Sequence, residues 1–170
     1  MNFLINLEKI KKNFLKKENI FFFIFIILIF YLDRFTKQKI LQKYNDDIFY
    51  VNDYVNFDLI WNTGIGFGLL STNSLLVYNS VTLLIGIVIL FLVYILAISE
   101  KVDKLIYSII VGGALGNFYD RVIFNAVPDF IDLHYGNFHW FTFNLADIFI
   151  TIGILIFIIK GNFVKNKNKI

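Results

Sequence analysis

The sequence predicts an integral membrane protein, mostly α-helical, with four transmembrane helices, a small extracytoplasmic β-hairpin and an amphipathic helix at the N-terminus. Three observations predict it. Hydrophobic residues make up 58% of the 170, with 21 phenylalanines, which leaves too little polar surface for a soluble domain of this length. The apolar residues gather into four runs that, with their flanks, are long enough to cross a bilayer. Lysines 9, 11, 12, 16, 17, 101, 104, 160, 165, 167 and 169 fall on one side of those four crossings, 11 of the 16 Lys and Arg residues, so that side is the cytoplasm. A single membrane-embedded domain over 1–170 is expected, with spans at about 20–37, 75–98, 105–122 and 141–159.

Residues 1–19 place Phe3, Leu7, Ile10 and Phe14 at helical spacing with lysines largely off that stripe, the pattern of a helix lying on a membrane surface. The apolar run that follows ends in Asp33-Arg34 without a small-residue cleavage site, so it reads as a retained first span. To reach bilayer length that span must continue through DRFTK, where Asp33 and Lys37 are four apart and can pair on one face. The third span carries Gly112, Gly113 and Gly116, small residues that let another helix approach closely. Between spans one and two, IFYVNDYVNFDLIWN alternates at Phe57, Leu59 and Trp61 around an Asn52-Asp53 turn and reads as a β-hairpin with aromatics at the lipid interface.

Composition closes several routes. The chain has no cysteine, which excludes disulfides, thiolate catalysis and Cys-ligated metals. A net charge of +3, with lysines at the two ends, fits anionic lipid headgroups, and no nucleic-acid motif is present. The five serines form no nucleophile elbow and there is no HExxH. His134 and His139, with Asp129 and Asp132 nearby, could bind zinc, but H-x4-H in a loop is a weak pattern and interfacial histidines are expected there; no metal is expected. Lysine outnumbers arginine 14 to 2, so Arg34 and Arg121 mark places where a planar, bidentate donor matters.

The polar residues share one depth. Asp33 ends span one at the outer face, Asn117, Asp120 and Arg121 end span three there, and Asp129 and Asp132 follow. Asn144 and Asp147 are expected one to two turns inside span four from the same face. Ionisable groups in such a place are functional candidates by default, because a carboxylate at the centre of a spanning helix costs roughly 2.5–3.5 kcal/mol on insertion scales. Two carboxylates held close cannot both ionise easily. The ionised one can take a proton from a water attacking a peptide carbonyl, and the protonated one can later protonate the leaving amine. The residues alone leave open which two carboxylates pair. They also leave open an ion- or proton-coupled transporter and a scaffold in which the Asn–Asp pairs are interhelical glue. Asp120 beside Arg121 reads as a helix-end ion pair.

DRFTK (33–37), NTGIGFG (62–68), GGALGNFYDR (112–121), VPDFID (127–132) and FNLAD (143–147) together resemble, in order and spacing, the lipoprotein signal peptidases, or signal peptidase II. Leu133-His134 departs from the more usual aromatic pair of that family. The resemblance implies a four-span aspartic peptidase of the bacterial inner membrane, with both termini cytoplasmic, an outer β-cradle and an active site near the periplasmic face. It implies Asp129 and Asp147 as the catalytic pair. Asn62, Gly64, Asn117, Asp120, Arg121 and Asn144 would position the substrate, and Asp33 and Lys37 would support the site. The implied substrates are diacylglyceryl-modified prolipoproteins, cut before the lipidated cysteine without a cofactor, by a monomer among membrane lipids that has no nucleic-acid partner.

Overall fold

A computed structural model describes residue 14 and residues 16–44, 48–64 and 74–167. The N-terminal amphipathic stretch and most of NTGIGFG lie outside the described residues. Helix α1 runs Lys17–Lys43, strands β1 and β2 Phe49–Asn52 and Val55–Asn62, helices α2 and α3 Leu75–Ile98 and Lys101–Phe124, strands β3 and β4 Val127–Tyr135 and Phe138–Phe143, and helix α4 Leu145–Lys167.

The helices pack around α3, which touches α1, α2 and α4. On α1 the buried residues Asn19, Phe22, Ile26, Ile29, Asp33, Lys37 and Ile40 recur every three or four positions, a single stripe along the helix. Its other faces leave Phe21, Ile24, Leu28, Tyr31 and Phe35 exposed, as a lipid-facing helix does. Close packing, not expulsion of water, holds such helices together, so small residues set the spacing. A Cβ on Gly112 would lie 2.7 Å from that of Ile29, and one on Gly113 would lie 2.6 Å from the carbonyl oxygen of Ala146. The glycines of α3 thus bring α1 and the start of α4 against one helix.

Among the described residues, three helices are long and apolar enough to cross a membrane: Lys17–Lys43, Leu75–Ile98 and Leu145–Asn162. Helix α3 has the length, but its glycines, Asn117 and the charged residues at both ends lower its hydropathy.

The strands form one antiparallel sheet in the order β1-β2-β3-β4. The expected hairpin is present: Asn52 pairs with Val55, and the Asn52 side-chain oxygen accepts the backbone N–H groups of Tyr54 (2.9 Å) and Val55 (3.0 Å), fixing the turn. The second hairpin was not foreseen from the residues. Asn125 ends α3 in a left-handed conformation (φ 54°), and β3 follows; Gly136, at φ 57°, makes the turn into β4.

The fourth expected span is corrected by this hairpin. Phe141–Phe143 belong to β4, and the helix begins only at Leu145. Asn144 therefore precedes the helix and Asp147 lies in its first turn, neither being one to two turns inside it. The physical reason is a cap. Asn144 Oδ1 accepts the Asp147 N–H at 3.1 Å while Asp147 Oδ2 accepts the Asn144 N–H at 3.1 Å, a reciprocal capping box that starts the helix there.

Candidate active site

Asp129 and Asp147 come together from β3 and the first turn of α4, with Asn144 between them. Asn144 Nδ2 donates to Asp129 Oδ1 at 2.6 Å, while its Oδ1 and backbone N–H hold Asp147. One residue thus touches both carboxylates. Each carboxylate has a second amide donor: Asn62 Nδ2 to Asp129 Oδ2 at 2.8 Å, and Asn117 Nδ2 to Asp147 Oδ1 at 2.8 Å. Burial first, and then the charge of Asp147, push the Asp129 carboxyl up to about 7; the Asn62 and Asn144 hydrogen bonds oppose the rise.

A buried charge cluster lies behind this pair. Lys37 is fully buried; its Nζ donates to Asp33 Oδ2 at 2.8 Å and to Asn117 Oδ1 at 2.8 Å, and sits 2.7 Å from Asp120 Oδ2. Asp120 Oδ1 is paired with Arg34. Two carboxylates face two cations, so the cluster is neutral, and a lysine in such a place is tolerable because its ammonium donates to two oxygens and is ion-paired with a third. Lys37 also orients the Asn117 amide, turning Nδ2 toward Asp147. Asp33 Oδ1 accepts the Ala146 N–H at 3.0 Å, which ties the support to the helix start that carries Asp147.

Two expectations change. Asp120 does not pair with its neighbour Arg121; successive helix residues point apart, and its partners are Arg34 and Lys37 on α1. Arg121 instead donates through Nη2 to the Gly64 carbonyl, and its Nη1 has no hydrogen-bond partner among the described residues. Gly64 is held from both ends, its N–H donating to Asn62 Oδ1 at 2.8 Å. Arg34 was missed as a site residue. Its guanidinium, 4.8 Å from the Tyr119 ring centre, completes the cluster, and the scarcity of arginine in this chain was the signal for it.

Two cavities reach the pair. One of about 490 Å³ is lined by Ile60, Trp61, Asn62, Thr63, Asp129, Asp132, His139, Trp140, Phe141 and Thr142. The other, of about 280 Å³ and almost wholly apolar, runs along Leu133, Trp140, Phe141, Phe143, Ile148, Thr151 and Ile152 to Asp147. Trp140 and Phe141 border both.

The family model described as signal peptidase (SPase) II matches residues 25–163. A lipoprotein signal peptidase of Pelagibacter ubique (strain HTCC1062) is 45% identical over 148 residues, 85% of this chain and 89% of that one. Those of Anaplasma phagocytophilum (strain HZ) and Francisella tularensis subsp. mediasiatica (strain FSC147) are 40% and 37% identical, covering 84% and 86% of this chain and 92% and 94% of their own. A solved structure described as a bacterial membrane enzyme determined by the in meso method at 2.3 Å resolution superposes with a TM-score of 0.69 at 28% identity, over 87% of this chain and 90% of that one. With the family model spanning most of its length and relatives this similar, the chain belongs to the signal peptidase II family of peptidases.

Proposed function

We propose that the chain is an aspartic endopeptidase that removes signal peptides from diacylglyceryl-modified prolipoproteins, cutting before the lipidated cysteine, with Asp129 and Asp147 as its acid–base pair. The observation that carries this reading is the single residue Asn144 joining both carboxylates. Near neutral pH the pair holds one proton. The ionised carboxylate takes a proton from water as its oxygen attacks the scissile carbonyl carbon, and the protonated one hydrogen-bonds the carbonyl oxygen. When the C–N bond breaks, the leaving amine receives a proton from the pair, and no metal or cofactor enters.

Arg121 Nη1, without a hydrogen-bond partner among the described residues, is the donor for a substrate carbonyl, and Asn62, Gly64, Asn117 and Asn144 line the approach. The apolar cavity beside Asp147 suits an acyl chain, while the peptide takes the more polar cavity beside Asp129. Helix α3, with Asp103 and Lys104 ion-paired at one end and Asp120 at the other, serves as a fourth crossing, so both termini are cytoplasmic and the pair lies near the outer face of the bacterial inner membrane. A single domain of four spans, acting as a monomer among lipids, suffices. Membership of a peptidase family does not favour the transporter reading.

The test is cleavage of a diacylglyceryl-modified prolipoprotein by purified protein in detergent, followed as signal-peptide release. Asp129→Asn and Asp147→Asn should melt like the parent and cut nothing, and Asp120→Asn should retain some cleavage. An inactive parent would overturn the function. A silent Asp120→Asn beside an active Asp129→Asn would overturn the site.

A further inference from the structure

We propose that Asp132, His134 and His139 form a binding site for a borderline divalent transition metal ion, with Zn²⁺ as the fitting example, on the β3–β4 hairpin. The spacing H-x4-H is weak evidence in a loop, but the structure places these residues in a sheet. His134 and His139 are direct cross-strand partners, with ring centres 5.3 Å apart. Asp132 precedes His134 by two positions on β3. Its Oδ2 lies 2.8 Å from His139 Nδ1 and 3.4 Å from His134 Nδ1. One ligand atom from each of the three lies within 4.8 Å of the others. Donors held about 2.0–2.2 Å from a tetrahedral zinc stand a little over 3 Å from one another, so small side-chain rotations complete the set.

A second observation is independent of that clustering. The His134 side chain is 9% exposed, and its Nδ1 makes no hydrogen bond among the described residues. A buried ring nitrogen without a partner is costly, and an ion on that side satisfies it. Asp132 is equally buried, whereas His139 is largely open. Asp132 and His139 also line the larger cavity, which leaves room for a water as fourth ligand. Two imidazoles and one carboxylate with an open position suit zinc, cobalt or nickel, and not magnesium or calcium, which favour oxygen. A bound ion would tie β3 to β4 beside Trp140 and Phe141.

The experiment uses full-length protein in detergent, freed of any histidine tag and stripped with a chelator. ZnCl2 is titrated by calorimetry and by thermal melting, and CoCl2 by visible absorption. One equivalent of zinc should bind and raise the melting temperature, cobalt should give the strong bands of a tetrahedral site, and MgCl2 should do neither. Losing a residue that merely orients a ligand weakens metal binding about 10–100-fold, so Asp132→Asn, His134→Gln and His139→Gln should each lose at least tenfold in zinc affinity. His139, being exposed, decides the matter if the other variants fail to fold. No zinc binding by the parent, or unchanged binding by His139→Gln, overturns the site. The titration needs no lipoprotein, so its failure leaves the cleavage reading standing, and the converse holds.

Discussion

Asn144 and Asp147 cap each other across the start of α4, side chain to backbone in both directions, each bond 3.1 Å long. The polar residues that interrupt an apolar stretch thus help to form the helix. They also aim Asp147 at Asn117 and leave Asn144 Nδ2 free to reach Asp129.

The two duties of Asn144 separate by substitution. Asn144→Ser keeps an N-cap oxygen but loses the donor to Asp129, so its melting temperature should stay close to the parent's while cleavage falls about 10–100-fold, the worth of a hydrogen bond to a charged group. Asn144→Ala should lose the same activity and also about 0.5–2 kcal/mol of stability. Parallel melting and cleavage assays check both.

Asp129 makes cleavage and stability depend on pH in a stated direction. Its carboxyl, raised from 3.8 to about 7, faces Asp147 and Lys37 together with the donors Asn62 and Asn144. Cleavage should decline as pH rises through about 7, where the pair loses its shared proton. For stability, the folded state holds this proton more tightly than the unfolded chain. The contribution is therefore greatest below 3.8 and is lost as pH climbs to about 7. Melting curves of the parent should show that fall, and Asp129→Asn should flatten it.

The β1–β2 hairpin was legible because it alternates and carries its own Asn-Asp turn. Strand β3 was not: Val127–Phe130 are buried on both faces, so no alternation marks them. Phe141–Phe143 read as helix in the sequence because a short apolar run looks alike in either state, and the cap that decides between them is a matter of geometry. Within the site, Asp33 and Lys37 were readable from i, i+4 spacing. Arg34 with Asp120 was not, since 86 positions separate them and only the close approach of α1 to α3 makes them neighbours.

Lys37 holds the charge cluster together, so Lys37→Met should be among the most damaging changes in the chain. It leaves Asp33 and Asp120 buried near each other with Arg34 as the remaining cation, a loss of about 3–5 kcal/mol. It also frees Asn117 to turn away from Asp147. Adding Asp33→Asn removes one unpaired charge and should recover part of the stability but not the cleavage. Unfolding of the single and double variants in detergent measures the coupling.

Gly116 is where helix packing and the site meet. A Cβ there would fall on the Asp33 carboxylate, against Oδ2 and 2.9 Å from Cγ, so Gly116→Ala must displace Asp33. Oδ2 is the oxygen that Lys37 holds, and Oδ1 holds the Ala146 N–H at the start of α4. Overpacking of this kind costs about 1–3 kcal/mol. Because the displaced group positions the turn carrying Asp147, cleavage should fall by more than the stability loss alone explains. Gly161→Ala provides the contrast. A Cβ there meets nothing within 4 Å among the described residues, and replacing a helical glycine should add about 0.5–1 kcal/mol without altering cleavage. Equal losses in both variants would show that added helix bulk, and not the Asp33 carboxylate, is what the site feels.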